Sequence, residues 1–155
     1  MSNKIIDGKL ISSEIREKVK KFGDQLKSKT GKVPGLAVVL VGENPASRVY
    51  VRNKIEKTIE VGFNSIEHKL SDKVSENELI DLVDKLNNDE NVQGILVQLP
   101  LPEHVNSDKI LDRIKPEKDV DGFHAINVGK LWSGLSSLVP LSLIHISEPT
   151  RPSQI

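Results

Sequence analysis

The chain has 155 residues, 37% of them apolar, with 22 basic side chains balancing 22 acidic ones and no cysteine. That length and apolar content suffice for one compact domain with its own core and fall short of two. The even charge, with no run of five like charges, excludes an electrostatic footprint for nucleic acid or an anionic membrane, and the missing thiols exclude disulfides, thiolate zinc and a cysteine nucleophile.

In chain order, Ile11, Ile15, Val19, Phe22 and Leu26 step by four, four, three and four, which predicts a helix with one apolar stripe, closed off by Gly31 and Pro34. Gly35 to Gly42 is a short apolar run between glycines, the pattern of a strand buried on both faces. Asn44 then Pro45 supply an N-cap and an N1 proline for a helix running from about 45 to about Glu60 and stopping near Gly62. A strand follows from Asn64 to Leu70. Ser75 and Glu78 have capping-box spacing, and Leu79, Val83 and Leu86 continue an amphipathic helix that ends near Asn87 and Asn88. Gly94 to Pro100 is another apolar strand. Pro100, Pro102 and Pro116 break the pattern into loops with a short helix near Ser107 to Ile114, Asp119 to Phe123 is a strand end running into a turn, and a loop rich in Gly and Ser lies beyond.

Helix and strand alternating three times predict an α/β fold, a parallel sheet built from βαβ units and flanked by helices. Ligands in such sheets bind beyond the carboxyl ends of the strands. The N-terminal stretch from Met1 to Ile6 lacks the apolar segment of a secretory signal, and no run of about 18 apolar residues could cross a bilayer, so the expectation is a soluble, cytoplasmic protein with a small-molecule ligand and no nucleic acid or membrane partner.

Tyr50 and Lys54 are four apart and share a helix face, where a ring and an amine could address one ligand. By itself that pair is an ordinary feature of a solvated helix in a lysine-rich chain. Gln98 is the only polar side chain between Ile95 and Leu99, at the point where a parallel strand ends and a pocket would begin, although an amide there could equally cap a loop. Asp119 and Asp121 could form a carboxylate pair for acid/base work or a metal. His68, His104, His124 and His145 are scattered without ligand spacing, so no metal site is expected. Neither G-x-x-x-x-G-K-[ST] nor G-x-G-x-x-G occurs in the chain, and nothing in it binds a nucleotide in a recognisable way.

Two stretches together go further. Val41 to Ser47 followed by Tyr50, Val51 and Lys54 resembles the first signature of the bifunctional methylenetetrahydrofolate dehydrogenase/methenyltetrahydrofolate cyclohydrolase family. Glu76 through Asn87, Asp89 and Gly94 to Leu101 resembles its second. Lys115-Pro116, Lys118 to Phe123, Asn127 and Gly129 to Leu131 continue the likeness in the same order, over about Ile6 to Pro140. The resemblance implies that Lys54 is the catalytic lysine, Gln98 its hydrogen-bond partner, Tyr50 the ring on the pterin face and Asp121 the carboxylate that holds the pterin. Hydrolysing a cyclic methenyl bridge needs water added to an amidinium-like carbon and protons moved, work for an amine partly neutral near pH 7 against a reference lysine pKa of about 10.4. A carboxylate can accept two hydrogen bonds from the pterin's amino and ring N–H groups.

The family also implies tetrahydrofolate derivatives as substrates, a homodimer, and NADP as hydride acceptor on a separate Rossmann-type domain, which is expected to be absent from this chain. From Leu141 the sequence departs from the family and resembles translated read-through of a sequencing adapter. Residues 1–140 are therefore expected to be the N-terminal catalytic domain of a truncated, weakly active form, and 141–155 a foreign or disordered tail. Two other functions fit the same residues: a folate-binding module without turnover, and an aldolase-like enzyme using Lys54 as a Schiff-base nucleophile.

Overall fold

A computed structural model describes residues 6–139. Its elements are α1 (Gly8–Thr30), β1 (Gly35–Val41), α2 (Pro45–Glu60), β2 (Asn64–Leu70), α3 (Glu76–Asn88), β3 (Gly94–Val97), α4 (Ser107–Arg113) and α5 (Ala125–Trp132). The sheet has the order β2-β1-β3, and both pairings are parallel.

The central strand explains the architecture. Successive side chains of a strand point to opposite faces, so a strand apolar at every position needs cover on both. In β1, Ala37, Val39 and Val41 pack with Leu79, Val83, Leu86 and Ile110 of α3 and α4, while Val38 and Leu40 pack on the other face with Val51 of α2 and Leu96. Each crossover helix thus closes one side of the sheet. The sequence sets where these helices start: Asn44 Oδ1 accepts the amide of Ser47 at 3.1 Å with Pro45 in the first turn, and Ser75 with Glu78 forms a reciprocal capping box. Asn87, buried at the end of α3, ties that helix to the segment after α4, donating to Arg113 O at 2.8 Å and accepting from Lys115 N at 2.9 Å.

Three expectations change. The first helix forms, longer than predicted and capped by Asp7, but its apolar stripe buries nothing among the described residues: Ile15 is 53% and Phe22 76% exposed. It is held instead by Arg16 Nε donating to Glu60 Oε1 at 3.1 Å and by Gly23 lying against the Phe63 ring, where a Cβ would come within 2.5 Å of Cε1. The third strand is shorter than predicted and ends at Val97, since Pro100 has no N–H to continue a ladder; the Leu99–Pro100 peptide is cis. The segment assigned to a Gly/Ser loop contains a helix, α5, whose first turn is capped by His124 Nδ1 accepting from Ile126 N at 3.1 Å and which Gly134 ends at φ 70°. The tail, 141–155, and His145 lie outside the described residues.

Close backbone approach fixes the start of β1. A Cβ on Gly35 would sit 2.0 Å from the carbonyl oxygen of Asn91, a backbone atom that cannot swing aside. Gly35→Ala is expected to destabilise the domain by about 2–4 kcal/mol, read as a lowered urea midpoint with an unchanged m-value.

Candidate functional site

The four residues singled out by sequence come from three chain segments. Tyr50 and Lys54 lie one turn apart on α2, Gln98 follows the last residue of β3, and Asp121 lies just past a short parallel bridge between Ile95 and Asp119. That bridge, with Ile95 N donating to Lys118 O at 2.7 Å, lays the Asp121 segment alongside β3.

Lys54 Nζ donates to Gln98 Oε1 at 3.3 Å. The orientation of that amide is set by its other end, since Gln98 Nε2 donates to Leu99 O at 2.8 Å and leaves the oxygen facing the lysine. The same Leu99 carbonyl accepts Ser47 Oγ at 3.4 Å, a buried hydroxyl in the first turn of α2. One carbonyl thus fastens the start of α2 to the amide that meets Lys54. Lys54 is half-buried, whereas Tyr50 is 62% exposed, its ring open to a ligand lying across the helix.

Asp121 is half-buried, and its carboxyl is held above the usual carboxylate range, chiefly by burial; the positive charge of Lys54 opposes that rise and the negative charge of Asp119 adds to it. Lys54 is therefore electrostatically coupled to Asp121 as well as bonded to Gln98. The two aspartates do not form an open carboxylate pair. Asp119 is buried, with Oδ1 accepting Gly122 N at 3.0 Å and Oδ2 accepting His124 N at 2.9 Å and Asn127 Nδ2 at 2.9 Å, so its lone pairs are turned toward its own loop. Asp121 is the member left for a ligand. Among the described residues no group of three His, Asp or Glu side chains has the arrangement of a metal site.

Sequence reasoning gave no role to Ser47 or Asn127 and read Asp119 as half of a carboxylate pair, where the structure turns it to its own loop. A polar residue three positions before a Gly in a D-x-D-G turn is a local signal for the Asp119 to Gly122 bond. The contact of Ser47 with Leu99 spans 52 residues and that of Asn127 with Asp119 spans 8, and neither leaves a local trace.

An α/β domain with an amine, an amide, a carboxylate and an open ring gathered at the carboxyl edge of its sheet has the build of a small-molecule catalytic domain. Residues 6–121 match the family described as tetrahydrofolate dehydrogenase/cyclohydrolase, catalytic domain, and the chain belongs to that family. It is 49% identical over 147 residues to the bifunctional protein FolD of Streptococcus agalactiae, covering 95% of this chain and 52% of that protein. With bifunctional protein FolD 2 of Roseobacter denitrificans it shares 55% over 140 residues, 90% of this chain and 47% of the relative. Among solved structures, the FolD dehydrogenase/cyclohydrolase of Campylobacter jejuni matches with a TM-score of 0.85 at 48% identity over 90% of this chain and 50% of that one. The Trypanosoma brucei enzyme, solved with NADP cofactor and inhibitor, matches with a TM-score of 0.84 at 32% identity over 92% of this chain and 51% of that one. The chain spans about half the length of the curated relatives it matches.

Burial that raises the Asp121 carboxyl has a stability consequence of definite sign. A carboxyl that binds its proton more tightly when folded favours the fold at low pH, and that contribution is lost as pH rises through the raised folded value. At neutral pH the buried charge is a cost. Asp121→Asn removes it, and the variant is expected to melt about 2–5 °C higher than wild type at pH 7, with the gain shrinking as the pH is taken down into the acid range. A melting temperature lowered at pH 7 would contradict this.

Proposed function

We propose that this chain is the folate-binding catalytic half of a bifunctional enzyme of one-carbon metabolism, which oxidises 5,10-methylenetetrahydrofolate to 5,10-methenyltetrahydrofolate with NADP and hydrolyses the product to 10-formyltetrahydrofolate. The observation that carries the proposal is the Lys54 Nζ to Gln98 Oε1 contact at 3.3 Å, coupled electrostatically to Asp121. Family membership and the FolD relatives support the same chemistry.

In the hydrolytic step the pterin lies against Tyr50, with Asp121 accepting from its amino and ring N–H groups. Water adds to the methenyl carbon and discharges the amidinium. Lys54 takes a proton from that water at Nζ and returns one to N5 as the carbon–N5 bond breaks, leaving the formyl group on N10. Of the water's two protons one ends on N5 and the other goes to solvent. Gln98 accepts a hydrogen from Nζ without adding charge, which keeps the amine aimed through the transfer.

The described residues do not fit a dinucleotide. The turn from β1 to α2 has a single glycine, Gly42, followed by an acidic Glu43 where a pyrophosphate would need close amides, and G-x-G-x-x-G is absent from the sequence. NADP therefore belongs, in this proposal, to a separate Rossmann-type domain, and no hydride step is assigned to the residues of this chain. Residues 1–140 are proposed as the catalytic domain, 141–155 as a foreign tail without a part in it, and the full-length parent as a cytoplasmic homodimer. No helix among the described residues is long and apolar enough to cross a membrane.

Methenyltetrahydrofolate hydrolysis, followed by absorbance, tests the proposal on the chain and on a version completed with a nucleotide-binding domain. The completed protein is expected to hydrolyse the substrate, and Lys54→Met to lower the rate by about 10²–10⁴ while folate affinity stays within about threefold. The 155-residue chain is expected to hydrolyse weakly and to show no NADP-dependent oxidation. Folate binding without turnover in the completed protein would leave a binding module, and reductive trapping of a carbonyl compound on Lys54 would point to Schiff-base chemistry instead.

A further inference from the structure

The loop that carries Asp121 is built around a side chain that does not face the ligand. Asp119 is 3% exposed and Asn127 6%. Three N–H donors converge on the two oxygens of Asp119: Gly122 N at 3.0 Å, His124 N at 2.9 Å and Asn127 Nδ2 at 2.9 Å. The same Nδ2 donates to Pro116 O at 2.9 Å, and the carbonyl of Asn127 accepts Ser137 Oγ at 2.9 Å. Anchors therefore stand on both sides of Asp121, at residues 116 and 119 before it and at 122 and 124 after it.

The choice of residue is informative. Among the described residues no lysine or arginine forms an ion pair with Asp119. A buried carboxylate compensated only by N–H groups is costly to retain, and an ordinary turn is made as well by Asn or Ser. Here an asparagine would turn an NH2 group toward at least one of the three donors, so only a carboxylate satisfies the geometry. The parallel bridge from Ile95 to Asp119 then fixes this loop to the sheet, and through the sheet to Gln98 and Lys54.

We propose that Asp119, supported by Asn127, is the positioning residue that aims Asp121 at the pterin, setting the ring's hydrogen-bond geometry without touching it. This rests on the folate assignment above. Asp119 acts through Asp121 and in no other way on the ligand.

The test is a double-mutant cycle read by calorimetric titration of 5-formyltetrahydrofolate into the 155-residue chain, well below the melting temperature, with far-UV circular dichroism confirming the fold of each variant. Asp119→Asn is expected to weaken binding about tenfold in the wild-type background. In the Asp121→Asn background it is expected to weaken it by less than about twofold, since the group it aims has lost its charge. The acid limb of the binding profile should also move to lower pH in Asp119→Asn, because the negative charge that helps hold the Asp121 carboxyl up has gone. Equal losses in both backgrounds, or an unmoved acid limb, overturn the inference while leaving the folate assignment intact. If Asp119→Asn does not fold, Asn127→Ala withdraws one of the three donors and takes its place in the cycle, with an expected loss of about threefold that again vanishes beside Asp121→Asn. A wild-type chain that folds and does not bind 5-formyltetrahydrofolate would overturn the folate assignment and this inference with it.

Discussion

Everything in this domain follows from the need to cover β1 on both faces. A strand of Leu, Ala and Val with no polar position cannot lie at a solvated surface, so the chain must cross over after it and return with a helix on one side, then do so again on the other. Parallel crossovers carry a second consequence: the turns that leave the strands all emerge at one edge. Tyr50 and Lys54 on α2, Gln98 after β3 and Asp121 beside it come together because the sheet gives their segments no other place to be. The core and the site are two results of one constraint.

Within that frame, identical residue types take different tasks according to what surrounds them. Asp119 and Asp121 are two positions apart and share their side-chain chemistry. One has every oxygen turned to backbone and Asn127 donors, and it organises a turn; the other is half-buried with few donors, faces the charge of Lys54, and is left for a ligand. The amide of Gln98 is likewise defined by its partner. With Nε2 committed to the Leu99 carbonyl, only Oε1 can meet the amine, so a group that could donate or accept is fixed as an acceptor. Ser47 shares that carbonyl and links the start of the lysine's helix to the amide that the lysine meets.

How much of this was legible in the sequence depends on how local each cause is. The starts of α2 and α3 could be read because Asn44 and Ser75 act within a turn, and α4 because prolines on either side bound it. Strand β1 could be read because burial on both faces leaves an apolar run, and β2 because turns mark its limits. The contact between Lys54 and Gln98 spans 44 residues and was reached only through resemblance to a family, since the i, i+4 spacing of Tyr50 and Lys54 does not distinguish a site from a solvated face. α5 was missed because Gly129 and the serines that follow Trp132 read as a loop, while its stability comes from His124 and the buried Asp119 to Asn127 bond, a tertiary cause. β3 reads longer in the sequence than it is because apolar character continues to Leu99, past the end of the strand at Val97.

The first helix marks where local legibility and tertiary support part company. Its period, its Asp7 cap and its Gly31 terminus all specify a helix, and a helix forms. Its apolar stripe finds no cover among the described residues, and one ion pair of half-exposed side chains contributes little to holding it in place. Leu10, Ile11, Ile15 and Phe22 on this helix, together with Trp132 at the end of α5 and Leu135 after it, leave apolar surface uncovered on a domain whose β1 is buried at every position but Leu36. Sequence periodicity has therefore specified more apolar surface than these residues bury. The sheet is covered by its crossover helices on both faces, whereas α1 and the end of α5 leave apolar side chains exposed among the described residues. Lys54 and Gln98 sit on the enclosed sheet and its first crossover helix, whereas the loop that carries Asp121 is held in part by Asn127 of α5.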